Sequence, residues 1–287
     1  MHLGDKSFLF DNLIEKSGDI HVTGSGIDAS DYNIIKSNKI YDAGYAGIKT
    51  SAEKTLILDN EISEFVKRSS DTGGVYIAQA RDTIDTKKEF AVVHNYIHDY
   101  TQLWKDKTRV EAIYYDGWGV NGTLVYNNIL EDAPSFDKAS PLRLRSRYNH
   151  VLNNIFVGPS GHTKILLPEY SFYSAYGNRI SKNIIAILNN SDKNRLYSTG
   201  PYFGDYTTSK SFESESNLIS ILPGGKIVIL YSGSSVVNVS WDDWIAAGND
   251  KNSILTNTQI LNNPNNNDFT LTPSGKTLAS SVGFKEF

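Results

Sequence analysis

The sequence predicts an all-β chain, a right-handed parallel β-helix solenoid with an irregular C-terminal cap. Three observations lead there: a phrase that returns every 22–35 residues, a second strand-like phrase after most copies, and a composition rich in Tyr, Gly and Asn. The Leu/Ala/Glu/Lys-rich composition of a helical chain is missing.

The first phrase is Asn, one residue, then Ile. It reads FLFDNLI at Asn12, IIKSNKI at Asn38, LILDNEI at Asn60, VVHNYI at Asn95, LVYNNI at Asn127, HVLNNI at Asn153 and SAYGNRI at Asn178. The intervals of 26, 22, 35, 32, 26 and 25 residues suit one coil per copy with insertions at a fixed corner. Coils stack about 4.8 Å apart, so equivalent residues lie over one another. An inward Asn at a bend can bond both neighbouring coils through its amide and satisfy backbone groups that a turn leaves unpaired. Asn38, Asn60, Asn95, Asn127 and Asn153 are therefore expected in one column, with the Ile two positions later in the core.

The second phrase aligns GDIHVTG at Ile20, AGIKTSA at Ile48, GGVYIAQ at Val75, EAIYYDG at Ile113, SPLRLRS at Leu142 and HTKILLP at Ile165. Alternation along a strand sends the anchor and the residue two later inward and the residue between them outward. The linkers from Asn to anchor are longest in the middle coils, where a rigid scaffold carries a site. Residues 1–187 read as parallel β-helix coils. Residues 188–287 read as final coils and a C-terminal capping segment, with Trp241 and Trp244 packing the cap.

Net charge is −4, which disfavours nucleic acid or an anionic membrane as a general partner, and no apolar run approaches the roughly 18 residues that span a bilayer. There is no cysteine, so disulfides and thiolate metal sites are excluded. MHLGDKSF carries no apolar signal-peptide region. No His pair has a metal-ligand spacing.

Stacking the second strands brings Lys49, Tyr76, Tyr114 and Arg143 into one outward column, with Asp116 and Arg145 in the next. Asp71 and Arg109 enter the same strip four positions before their anchors, and Glu111 two before its own. Two carboxylates on one groove suit glycoside hydrolysis, one protonating the leaving oxygen and the other acting as nucleophile or base. Asp71 and Asp116 are the expected pair. Asp116 is read as the acid, on account of Tyr114, Tyr115 and Trp118 around it, and Asp71 as the base. Tyr76, Tyr114 and Trp118 can stack on sugar faces, and Arg143 and Arg145 can hold a uronate. Lys49, Arg109 and Glu111 complete the expected substrate contacts. The 98–110 segment, with Trp104, Lys105 and Lys107, would form a basic, aromatic wall. Each Asp also reads as an ordinary turn former, in SSDTGG and YDGWG.

On these pieces, DTGGVY (Asp71–Tyr76), HNYIHD (His94–Asp99) and AIYYDGWGVNGTLVYNNI (Ala112–Ile129), the chain resembles carbohydrate-active enzymes of the pectate-lyase-like β-helix superfamily. It is nearest to the solenoid glycoside hydrolases related to α-L-fucosidases and xylanases. The resemblance implies acidic catalysis by Asp71 and Asp116 on a poly- or oligosaccharide, no cofactor, and a secreted, cell-surface or periplasmic bacterial protein whose signal peptide is absent from this chain. It also implies more coils ahead of DTGG than the chain supplies. AGIKTSAEKTLILDNEI and SPLRLRSRYNHVLNNIFVG are in turn similar to the Lys and Arg coils of alginate and chondroitin lyases. That reading gives Lys49 with Arg143 or Arg145 a role in β-elimination on a uronate polymer, with calcium as a cofactor. A third expectation is a non-catalytic glycan-binding β-helix of the tailspike or adhesin kind.

Overall fold

The computed structural model describes the chain apart from residues 20–22, 52–53, 68–70, 79–89, 101–109, 117–121, 132–139, 159–164, 168–176, 191–193, 200–211 and 233–235. Three long sheets run the length of a parallel β-helix. Each coil up to Leu218–Ile221 contributes one strand to each sheet. In one middle coil these are Thr72–Ile77 in the first sheet, Ala91–Val93 in the second and Tyr96–His98 in the third. Inward residues form one continuous core, for example Ile35, Ile57, Val92, Val125 and Val151 from the second sheet.

The corner between the second and third sheets carries the Asn phrase. The backbone N–H and Nδ2 of each inward Asn donate to Oδ1 of the Asn one coil on, at 2.9–3.1 Å from Asn12 to Asn38 and on to Asn60 and Asn95. The chain of amides continues through Asn128, Asn154, Asn183 and Asn217. From Asn38 onward Nδ2 also donates to a carbonyl of the coil before, as Asn95 does to Ile57 at 2.9 Å. The last rung ends on Ser253 Oγ and the buried Asp250.

Two residues of the expected column are therefore corrected. Asn127 and Asn153 stand one position before the rungs Asn128 and Asn154, in the left-handed backbone region (φ 54° and 59°) that Asp11, Ser37, Asp59 and His94 occupy at the same corner. Asn tolerates that conformation better than most residues, so the phrase picks the first Asn of NNI while the rung is the second, and Leu130 and Phe156 enter the core where Ile129 and Ile155 were expected. Asn178 belongs to a shorter ladder at another corner, accepting from the N–H and Nδ2 of Asn149. The anchors Ile48, Val75, Ile113, Leu142 and Ile165 do pair in register. The residue stacked below Ile48 is Ile27; Ile20 lies outside the described residues.

The coils continue past residue 187 with Asn194–Thr199, Phe212–Glu215, Leu218–Ile221 and Ile227–Ser232. The first sheet then turns back with the antiparallel strand Val236–Ser240. It leads into helix α1 (Trp241–Ala246), whose N-cap Ser240 accepts from the Asp243 N–H. Trp244 of α1 packs on Tyr197 and Phe212 and closes the end of the core. Beyond it, the hairpin Leu261–Asn263/Asp268–Leu271 and helix α2 (Pro273–Ser281) run back along the outside of the third sheet, over Ile155, Val157, Ile184 and Leu218. Lys285 holds Asn153 through both its N–H and its carbonyl, at 2.7 and 2.6 Å. Among the described residues no helix is long and apolar enough to cross a membrane.

The Asn95 side chain bonds four residues in three coils, Ile57, Asn60, Val93 and Asn128, so Asn95→Ala leaves several buried groups unpaired. Urea denaturation should show a loss of roughly 1–3 kcal/mol; an unchanged midpoint would place Asn95 outside the ladder.

Candidate functional site

The site lies on the outer side of the first sheet, where the register aligns Asp28, Lys49, Tyr76, Tyr114 and Arg143 in one column. The inward side of the strands is tightly packed. A Cβ on Gly47 would come within 2.3 Å of Ile62 Cγ2 and 2.8 Å of the Gly74 carbonyl. Ala112 and Ile113 both join the core, while Tyr114 lies apart from it. Tyr76 and Tyr114 form a separate cluster with Ala46, packed against Tyr45.

Asp71 precedes its strand and Asp116 follows the neighbouring one. Crossed tyrosines link them. The Tyr76 hydroxyl donates to Asp116 Oδ2 at 2.8 Å, and the Tyr114 hydroxyl approaches Asp71 Oδ1 at 3.4 Å. The rings of Tyr76 and Tyr114 lie 5.3 Å apart, and Tyr45 meets Tyr76 edge-on at 5.6 Å. Burial pushes the Tyr76 phenol well above its ordinary range, and the Asp116 bond adds to this. Burial does the same to Tyr114, with Arg143 opposing it.

The two carboxylates differ in their partners. Asp116 accepts from Arg145 as well as Tyr76, which is the bonding pattern of an ionised carboxylate. The acid role expected for it meets that ion pair, and Tyr115, expected to desolvate it, points into the core. Asp71 is exposed, sits in the left-handed region (φ 59°), and pairs with no cation among the described residues.

Glu111 and Arg143, expected to line the groove, are fully buried and paired at 3.2 Å. The Arg143 guanidinium lies 4.8 Å from the Tyr114 ring centre. They support Tyr114 from below. Lys49 is partly exposed and faces Asp28 at 3.9 Å. Arg109 and Trp118, with Trp104, Lys105 and Lys107 of the expected wall, lie outside the described residues. Tyr45 was not among the expected residues; its signal is an aromatic side chain three positions before an anchor. Among the described residues no three His, Asp or Glu side chains converge as a metal would require.

A second polar group, not anticipated from sequence, sits on the third sheet. His98 Nδ1 meets Asp99 Oδ2 at 2.8 Å and its ring stacks on Tyr96 at 3.9 Å. The Tyr96 hydroxyl donates to Glu131 at 2.5 Å, and burial raises the Glu131 carboxyl above its usual range. HNYIHD thus builds structure on a face other than that of the two aspartates.

No family model, curated protein or solved structure matches the chain. The three parallel sheets establish the β-helix alone.

Two outcomes follow from this geometry. Glu111→Leu alone takes the carboxylate away from a buried guanidinium and should cost about 3–5 kcal/mol in a denaturation series, whereas the Glu111→Leu/Arg143→Met double variant should recover most of that loss. Tyr76 and Tyr114 hold their protons more tightly when folded than the unfolded chain does. Their contribution is present at neutral pH and declines above about pH 10, where the unfolded phenols ionise first. Unfolding midpoints measured from pH 8 to 11.5, with phenolate absorbance followed in parallel, check the sign.

Proposed function

We propose that the chain is a carbohydrate-active β-helix that hydrolyses a glycosidic bond of a poly- or oligosaccharide. The observation that carries this reading is the convergence of Asp71 and Asp116, from adjacent coils, on one cluster of tyrosines. Asp116, oriented by Arg145 and Tyr76, acts as the nucleophile or as the base that takes a proton from water. Asp71, which pairs with no cation among the described residues, is the carboxyl left to relay a proton from solvent to the leaving glycosidic oxygen. Tyr76 and Tyr114 keep their phenol protons at neutral pH and so remain donors toward the carboxylates. Tyr45, half-buried at the rim, offers a ring for a sugar face.

Elimination on a uronate is the weaker reading, because the cations it needs are engaged: Lys49 with Asp28, Arg143 with Glu111, Arg145 with Asp116. The Asp116–Arg145 pair also suits a face that binds glycans without cleaving them, and the same experiment separates the three. A panel of neutral and acidic glycans is scored for new reducing ends and for absorbance of unsaturated uronates. Hydrolysis should appear on at least one glycan and fall by at least about 100-fold in Asp71→Asn and in Asp116→Asn, with melting temperature nearly unchanged. Unsaturated products would replace the reading with elimination. Binding without products would replace it with recognition.

A further inference from the structure

The outward column of the first sheet is open in one direction and covered in the other. The side chains of Asp28 and Lys49 are 50 % and 36 % exposed. One coil on, Tyr76 keeps 9 %, and Tyr114 and Arg143 after it keep 0 % and 1 %. Ser198, two coils beyond Arg143 in the same register, is buried as well. Neighbours within a sheet cover the flanks of an outward side chain and leave its tip to solvent. A tyrosine and an arginine with no exposed surface on such a face are therefore covered from above. The change from open to covered falls between Tyr76 and Tyr114, the two phenols that reach the carboxylates.

Asp71 and Asp116 stand on opposite sides of that boundary. Asp71 is exposed and belongs to the coil of Tyr76, next to the open coils of Tyr45, Lys49 and Asp28. Asp116 belongs to the coil of Tyr114, and it and its partner Arg145 are partly exposed just past the strand ends. In the hydrolase reading, on which this inference rests, Asp71 serves the leaving oxygen and Asp116 the anomeric carbon. The part of the glycan that leaves then runs out over Tyr45, Lys49 and Asp28. The unit with the attacked carbon lies beside Asp116. Cover begins on that same coil, so Tyr114 and Arg143 offer no surface to a further sugar. In any glycosidic bond the unit that supplies the anomeric carbon is the one on the non-reducing side.

We infer that the chain acts on glycan ends, removing one unit at a time from the non-reducing terminus of a poly- or oligosaccharide. Water supplies a hydroxyl to the anomeric carbon and a proton to the departing oxygen. The bond between that carbon and that oxygen breaks, and nothing is oxidised or reduced. The terminal unit meets Asp116, Arg145 and the Tyr76 hydroxyl, which already form one bonded group. The Tyr45 ring receives the next unit, and the exposed Lys49–Asp28 pair offers a donor and an acceptor to the one behind it. Chain length beyond the reacting bond is thus felt only on the leaving side.

The probes are the glycans of the panel above, each as the polymer and as a short oligosaccharide with a fluorescent label on its reducing end. On a glycan that is cleaved, unlabelled monosaccharide should be the first product, and the labelled ladder should shorten by one unit per cleavage. Polymer viscosity should fall slowly for the reducing ends formed. A bulky ether on the non-reducing terminal unit should slow cleavage at least about 10-fold, because the covered side cannot take it. Labelled fragments of mixed length at the earliest times, with a rapid fall in viscosity, would mean a groove open in both directions and overturn the inference while leaving hydrolysis intact. Release of the labelled unit first would mean that the chain lies the other way, and overturns it too. No new reducing ends on any glycan would remove the hydrolase reading itself, and this inference with it.

Discussion

Everything in this molecule depends on where the Asn carboxamides sit. A tight corner in a parallel solenoid leaves backbone groups that strand pairing cannot reach, and buried unpaired amides are costly. The inward Asn answers both needs with one short side chain. It accepts from the rung on one side and donates to the rung on the other, from Asn38 to Asn183. The left-handed residue just before each rung turns the chain sharply enough to aim it. A rung out of place would shift its coil against both neighbours, and a one-residue slip turns every side chain of a strand to the other face. The ladder is thus a register device as well as a set of hydrogen bonds.

The face of the first sheet is a consequence of that register. Tyr76, Tyr114 and Arg143 stack because Val75, Ile113 and Leu142 do. Once stacked, the phenols cross to reach carboxylates at opposite strand ends. The buried Glu111–Arg143 pair adds little to stability by itself, since desolvating two charges offsets most of their attraction. What it contributes is a fixed floor under Tyr114, with the guanidinium against the ring face. The carboxylates above that floor are therefore held in different states: one bound to Arg145, the other exposed.

The C-terminal part shows how the same scaffold ends. Asp250 is a buried carboxylate with no cation beside it among the described residues, and it is satisfied instead by Trp244, Ser214, Ser253 and Asn217. It replaces the next rung. The tail then returns along the third sheet and buries an apolar column that a solvated face would not tolerate. Asn153 and Asn127, left out of the inner ladder, work on the outside. Asn153 bonds Lys285 and Asn127, and Asn127 meets His94.

By itself the sequence determined that the chain is a parallel solenoid, where the rungs from Asn12 to Asn95 fall, and which residues share the outer column of the first sheet. Those properties follow from periodicity: an Asn every coil and an apolar residue at every second strand position are written locally and repeated. Tertiary structure decided the rest. Asn127 and Asn128 are the same residue type one position apart, and only stacking on Asn95 and Asn154 selects the second. Asp71 and Asp116 could be named as outward carboxylates. That Arg145 holds one and leaves the other open depends on side chains from a different coil meeting in space. The burial of Glu111 and Arg143 was equally hidden, because alternation says which face a residue takes and not what covers that face. The HNYIHD phrase built a third-sheet cluster for the same reason: a phrase records which residues are neighbours in the chain, and the winding of the coil decides which sheet they reach.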